Sequence, residues 1–535
     1  MRCFHRRQHP ARIVATAATS RQTRDSCMVH VRRLLTLCLM LPLLGRPCAS
    51  QSSAFVSPLT LASDDARLVD AFAWAARQAS AFAFQGDAVG PWFEAALPGR
   101  EAFCMRDVSH QVLGAHALGM RMHVRNMLHR FADQISAERD WASVWEIDRH
   151  GRPAHADYRN DHDFWYNLPA NFDVLDAAWR MYQWSGDPAY INDDVFRSFY
   201  DHSVTDYVER WALGTASIMK RTRIMNRART VDPDARFADA RGIPGYNEET
   251  DGFVVGLDLL AAQYAGFAAY ARIQEARGDS PSARTWLRRA ADVRTLVNGA
   301  WWDGKSQSFY DYLSTEYTLV HRSRDTWNSA ALYWPIASDG AHARATLDGL
   351  VRQIRASPSA PIEEQSHHPE VLYRYGAADL AYDQIMDLTR ADRARREYPE
   401  VSFSVVGAIL SGVMGVSVDP VVPGHEAELL DYSVNAHVMT LSQLTSKTAW
   451  AELRHAPVRA NDITVRHEGV SATELTNVGG PALVWQAALP GRFDTLLVGG
   501  LRVKATRRTL SSGQEVTLTR VVVAPGVKVR VETPH

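Results

Sequence analysis

The fold class this sequence predicts is mainly α: a two-layered α barrel over residues 51–450, followed by a small antiparallel β-sandwich over 451–535. Three observations predict it. From about residue 62 to 420 apolar residues recur mostly at i, i+3 and i+4, the spacing of one helix face. The order helix, Gly-Asp, Pro, helix occurs at Gly186 and again at Gly278, which implies consecutive antiparallel helix pairs. After about residue 450 the apolar period changes to two, the period of half-buried strands.

In NFDVLDAAWRMYQWSGDP a helix ends at Gly186 and Asp187, and another runs through Phe196, Phe199 and Trp211. Phe253, Leu257, Leu260, Tyr264 and Phe267 mark a further helix, with Asp251 as its N-cap and Gly278 just past its end. The next is expected to take Ser280 as its N-cap, with Pro281 in its first turn, and to bury Trp286, Ala290, Val293 and Val297. Tight turns join the helices on one side. On the other stand long loops rich in Trp, Asp, His and Asn, such as 137–170 and 216–251, of a length that usually signals function. Residues 401–418, VSFSVVGAILSGVMGVSV, carry no charge and read as an inner helix, with Gly407, Gly412 and Gly415 at close helix contacts. Beyond 450, segments such as ITVRHEG, TLLVGGLRVKAT and QEVTLTRVVV alternate between Gly, Pro and Asn, giving some seven strands.

Residues 1–50 are of another kind. They hold nine Arg against one acid, and the apolar run LLTLCLMLPLL (34–44) follows VHVRR and precedes CAS before Gln51. That is the form of a signal peptide, too short in its apolar part to span a bilayer. Met28 is the expected start, with 1–27 an extension, and the mature chain is expected in the periplasm or outside the cell. These fifty residues contribute +8, so the total of −1 becomes −9 beyond them. Nucleic acid and anionic membrane surfaces are thereby excluded as partners. Only Cys104 of five cysteines lies beyond residue 50, so no internal disulfide is expected.

The chain has no G-x-S-x-G elbow, P-loop, G-x-G-x-x-G after a strand, H-E-x-x-H or C-x-x-C pattern. What remains is carboxylates, aromatics and a few Arg and His residues on loops. Arg106 and Asp107 open a helix, and a guanidinium fork beside a carboxylate can grip vicinal sugar hydroxyls or simply cap that helix. His110 follows one turn later. In DHDFWYNLPANFD (161–173), Trp165 and Asn167 offer an aromatic face and a carboxamide suited to a sugar ring, while Asn171 suits the start of the next helix. Residues 157–163 lack EF-hand spacing, so no cofactor is expected beyond a structural calcium there.

Glu248, Glu249 and Asp251 crowd three carboxylates into four positions, and mutual repulsion raises the pKa of at least one of them. Glu397 and Glu400 immediately precede or open the most apolar helix, with Pro399 fixing the loop. The doubled His of EEQSHHPE (363–370) has no third ligand at suitable spacing, so no metal is expected. If alternate helices line a barrel, the loops before them converge on one end. Glu248 and Glu397 then face each other across a cleft, as glycosidic hydrolysis requires of an acid and a base.

These residues resemble the six-hairpin, (α/α)6-barrel glycosidases, the superfamily of glucoamylases, trehalases and bacterial α-L-rhamnosidases. FCMRDVSHQ is similar to the Arg-Asp pair that holds the terminal sugar in glucoamylases, YNEETDGF to their paired glutamates, and EYPEVSFSVVGAILSGVMGVSVDPVVPG to the rhamnosidase base segment. The resemblance implies an (α/α)6 toroid and an exo-acting, inverting glycoside hydrolase. Glu248 would be the general acid and Glu397 the base, with Glu400 competing for that role. Arg106, Asp107, His110, Trp165, Asn167, Glu249, Asp251 and Glu400 would bind the sugar. A polysaccharide lyase using His110, Tyr166 and Arg106 is the alternative enzyme, and a non-catalytic carbohydrate-binding protein the third reading.

Overall fold

In the computed structural model, the described residues are 55–222, 241–247, 253–322, 329–337, 340–356, 361–418, 436–510 and 513–534. Residues 1–54, with the expected signal segment and Met28, lie outside them, as do Glu248, Glu249 and Asp251.

The helical spacing of the sequence becomes a series of helices in two environments. We label the main ones α1 (Ala66–Ala81), α2 (Met105–Ala117), α3 (Arg121–Asp133), α4 (Ala170–Ser185), α5 (Asp194–Val204) and α6 (Leu257–Ala276). They continue as α7 (Ser280–Ala300), α8 (Ala330–Tyr333), α9 (Ala341–Ala356), α10 (His368–Arg374), α11 (Ala378–Thr389) and α12 (Pro399–Ala408). Odd-numbered helices bury one stripe. In α7 it is Ala283, Trp286, Ala290, Val293 and Val297, each a turn apart. Even-numbered helices are buried nearly all round, as in α12, whose apolar run carries on through a π-helical turn at Ile409–Val413. Each even-numbered helix packs on the next, α2 on α4, α4 on α6, and so on through α8 and α10 to α12, which packs back on α2. The odd-numbered helices lie against these from outside.

Punctuation differs from expectation in three places. Helix α6 begins at Leu257, not Phe253, because Phe253–Gly256 pairs as a strand with Tyr312–Ser314. The N-cap of α7 is Asp279, whose carboxylate accepts from the Ser282 N–H at 3.0 Å, one residue before Ser280. Trp211 is separated from α5 by a break at Thr205 and caps a short helix, Asp206–Arg210. Gly186 does close α4, in a left-handed conformation with φ of 66°.

The period-two region forms two sheets. We label β1 (Thr60–Ser63), β2 (Ala102–Cys104), β3 (Glu146–Asp148), β4 (Asp163–Asn167), β5 (Arg241–Ile243), β6 (Phe253–Gly256) and β7 (Tyr312–Ser314) within the helical part. Then follow β8 (Ser417–Val418), β9 (Ala436–Leu441), β10 (Trp450–Val458), β11 (Asn461–Glu468), β12 (Ala472–Gly479) and β13 (Leu483–Pro490). The last are β14 (Thr495–Val498), β15 (Leu501–Lys504), β16 (Thr506–Thr509), β17 (Glu515–Val523) and β18 (Lys528–Glu532). One sheet has the order β1-β10-β11-β12-β18-β14-β15 and the other β8-β9-β13-β17-β16. Two features were not in the period: β1 comes from the start of the helical part, with Leu61 opposite Leu453, and β9 pairs with β13 in parallel. The β part meets the C-terminal ends of inner helices, where His116 of α2 lies 3.1 Å from the Pro457 carbonyl and Arg459 N–H donates to the Trp184 carbonyl. No helix among the described residues is long and apolar enough to cross a membrane. Cys104 is buried and free.

Candidate active site

Acids open the inner helices: Asp107 in α2, Asp173 in α4, Asp258 in α6, Glu370 in α10 and Glu400 in α12 all stand in first turns. A carboxylate is favourable there because unpaired N–H groups give the helix start a partial positive charge. Contacts among these starts bring them to one end of the helical part.

The centre is built around α2. Strand β2 leads into it and pairs with β3, which puts Trp145 beside Arg106, while Glu146 pairs with Arg100 at 2.6 Å. Arg106 Nε lies 3.2 Å from Asp107 Oδ1, and its guanidinium sits over the rings of Trp145 and Tyr246 at 5.8 and 5.6 Å. Tyr246 is held from two sides. Its N–H donates to Asp258, and its hydroxyl donates to Asp173 Oδ2 at 3.0 Å. It arrives there because β4 and β5 run in parallel with Asn167 opposite Ile243, so the chain after Ile243 enters the centre next to Asn167.

His110 is at the heart of the cluster. Its Nδ1 is 3.1 Å from His367 Nε2, one ring donating and the other accepting, and its Nε2 is 2.8 Å from Asp173 Oδ2 but out of line for a hydrogen bond. Tyr333, Trp334 and Tyr246 pack around the His110 ring at 5.0, 5.8 and 6.1 Å. Burial and the Arg106 charge push His110 down to about 3, and burial with His110 beside it pushes His367 well below its usual value. Both are neutral near pH 7, so neither is a standing positive charge.

The carboxylates respond in the other direction. Burial drives Glu400 well above the ordinary carboxylate range, and the Asp107 charge adds to it. Burial raises Asp173 to about 7 against the pull of the Tyr246 bond, and Glu146, buried beside Asp157, goes to about 8. For Asp173 the folded value lies above the unfolded one, so its contribution to stability is complete below about pH 4 and is lost as pH rises through about 7. Asp173→Asn is expected to flatten that decline. A pH series of thermal midpoints should show the variant gaining on the parent between about pH 4 and 7, by a difference on the order of 4 kcal/mol at most.

The structure thus gathers Arg106, Asp107, His110 and Glu400, and adds Asp173, Tyr246, Trp145, Trp334 and His367. Asn167 is buried at the edge of this group, with neither amide atom hydrogen-bonded. Trp165 is half-buried on the same strand. Glu397 is not gathered: it is exposed in the turn before α12, where its backbone carbonyl is 3.5 Å from Gln78 Nε2. Pro399 and Glu400 are already in the helix, so Glu400 faces inward where Glu397 does not. Asn171 lies inside α4, not at its cap, and ties the loop before it by bonding the Trp141 carbonyl and the Ser203 hydroxyl. Tyr166, a candidate base for a lyase, is 2% exposed and packed on Phe164 and Trp211, away from the cluster. Among the described residues no group of three or more His, Cys, Asp or Glu is placed to hold a metal ion.

Tyr246, Trp145 and Trp334 were not singled out from the sequence. The signal available was their position: each is an aromatic in a loop or turn leading to or from a buried helix, where an apolar ring has no obvious core partner.

No family model matches the sequence, and no curated protein matches it either. Solved structures do match in fold. An α-L-rhamnosidase from Dictyoglumus thermophilum is similar at a TM-score of 0.57 and 12% identity, over 90% of this chain and 51% of that one. A GH78 family rhamnosidase of Bacillus sp. GL1 is similar at 0.52 and 11%, over 79% and 41%. An α-L-rhamnosidase from Aspergillus terreus is similar at 0.50 and 12%, over 88% and 50%. The chain therefore spans about half the length of these structures. At 11–12% identity the likeness is one of fold.

Proposed function

We propose that this chain is an exported glycoside hydrolase, an (α/α)6 toroid that removes a terminal sugar by a single inverting displacement. The observation that carries the reading is Glu400: a buried carboxylate at the start of an inner helix, near enough to Asp107 and Arg106 that both charges act on it. The closed series of even-numbered helices supports the toroid. Rhamnosidases among the structures of like fold support the reaction class.

In the reaction proposed, Glu248 protonates the leaving oxygen and Glu400 draws a proton from the attacking water. Glu397, exposed as it is, has no part in the step. The paired Arg106 and Asp107 grip vicinal hydroxyls, with Trp145 and Tyr246 walling the sugar and Glu249 completing its binding. An inverting displacement needs about 6.5–9.5 Å between the two carboxylates, enough for one water. The chain's own carboxylates supply both proton transfers, so the reaction calls on no cofactor. Incubation with a panel of aryl glycosides and plant or bacterial oligosaccharides is expected to release one monosaccharide, and NMR of the first product is expected to show the inverted anomer. Glu248→Gln should cut turnover by about 10²–10⁴-fold while leaving the thermal midpoint near that of the parent. Ordinary turnover in that variant removes Glu248 from the mechanism, and an unsaturated product absorbing in the near ultraviolet replaces hydrolysis with elimination.

A further inference from the structure

A cavity of about 470 Å³ opens where the inner helices meet the sheet β8-β9-β13-β17-β16. It opens farther along the inner helices than the Asp107 and Glu400 starts, and Arg180 on its wall also donates to the Tyr333 hydroxyl at 3.2 Å, which links it to the candidate active site. Helix α4 carries Asp173 at its start, whereas Arg180 and Trp184 reach the cavity, and at about 1.5 Å per residue Trp184 lies about 16 Å farther along the axis. Helix α12 likewise starts with Glu400, and Ser411 beyond it lines the cavity. The volume falls within the roughly 300–1,000 Å³ of small-molecule sites.

The chemistry of the wall is specific. On the helical side two cations answer one acid: Arg374 donates to Glu370 at 2.5 Å and Arg180 stands 3.8 Å from it. Burial alone would raise Glu370, but Arg180 and Arg374 overcome it and hold the carboxyl below its usual range, so both guanidinium groups on this side are already engaged. On the sheet side Arg508 of β16 contributes a guanidinium that makes no ion pair among the described residues. Gln443 and Gln486 add amides. The wall also contains more polar atoms than it satisfies, the hydroxyls of Tyr373 and Ser417 and Nδ1 of His437 being buried without partners. Trp184, Leu113 and Val438 provide an apolar face. A fitting occupant therefore needs one negative charge for Arg508, several hydroxyls for amides and hydroxyls, and one apolar face.

We propose that this cavity is a binding site for a hexuronic acid, free or as the carboxylate-bearing end of an oligosaccharide. The uronate carboxylate pairs with Arg508, its hydroxyls meet Gln443 and Gln486, and its C–H face lies on Trp184.

The test is isothermal titration of the full chain with glucuronate, galacturonate, an oligosaccharide ending in uronate, neutral galactose and inorganic phosphate. Saturable uronate binding is expected, weakened at least tenfold in Arg508→Gln and again in Gln486→Leu, and unaltered in Glu400→Gln. Free uronate binding as well as the oligosaccharide indicates a monosaccharide site, and binding of the oligosaccharide alone indicates a chain end; either supports the proposal. Absence of saturable uronate binding overturns it. So do equal binding of galactose, preference for phosphate, and uronate binding that survives Arg508→Gln but disappears in Glu400→Gln.

Discussion

Glu400→Gln is expected to abolish turnover, by about 10²–10⁴-fold, in a protein that still folds. Three properties of the residue lead there. It is 5% exposed, so its charge has no bulk water to stabilise it. It opens α12, whose free N–H groups favour an anion at that point. Asp107 and Arg106 act on it with opposite sign, and burial plus Asp107 prevail, holding its pKa well above the ordinary carboxylate range. Burial and Asp107 thus raise its proton affinity, which makes it the stronger base once it is ionised. The rate should accordingly fall as pH drops through the raised value, giving an acid limb to the kcat/KM profile above the usual carboxylate range. Asp107→Asn removes the repelling charge and should move that limb to lower pH. Gln at position 400 preserves shape and removes the base, so the thermal midpoint separates a chemical loss from a folding one. Glu397→Gln is the comparison: on the exposed side of the turn, it should turn over like the parent. Should Glu397→Gln be inactive and Glu400→Gln active, the assignment of the base is reversed.

That pair of glutamates shows where sequence reading reaches its limit. Spacing located the helix after Pro399 and its uncharged length, but two acids three residues apart in a turn differ in facing, and facing is set by contacts that the local pattern does not contain. The same holds for His110 and His367, which meet at 3.1 Å across 257 residues of sequence. Arg106 and Asp107 were legible because their chemistry and their place at a helix start coincide. Tyr246 was not, since its role comes from Asp258 fixing its N–H and Asp173 accepting from its hydroxyl, two partners on different helices. In the fold, the 3.6 period drew α7 almost residue by residue, because an outer helix has one wet face that leaves a pattern. Strand β1 left none: four residues cannot display a period, and its partner Leu453 stands 392 positions on from Leu61.

Gly114→Ala is expected to destabilise the protein by about 3 kcal/mol or more, a large effect for the addition of one methyl group. Gly114 lies inside α2, where Ala would ordinarily gain about 1 kcal/mol in helix propensity. The site reverses the sign. A Cβ there would come 2.0 Å from the Phe403 carbonyl oxygen and 2.7 Å from its carbon, both backbone atoms of α12 that no rotamer change can move aside. The two helices must part, and they are the two that bring Asp107 and Glu400 together. Gly407 is the control. It belongs to the same crossing, yet a Cβ on it would meet the Gly114 nitrogen at 3.4 Å, an ordinary contact, so Gly407→Ala should be neutral or mildly stabilising. Thermal denaturation of both variants measures the contrast, and kcat/KM measures its consequence: if the crossing positions the carboxylates, Gly114→Ala should lose activity well below its melting range, whereas Gly407→Ala keeps it. Equal stability of the two variants would mean that α2 and α12 are not in backbone contact and that the close approach of Asp107 to Glu400 has another origin.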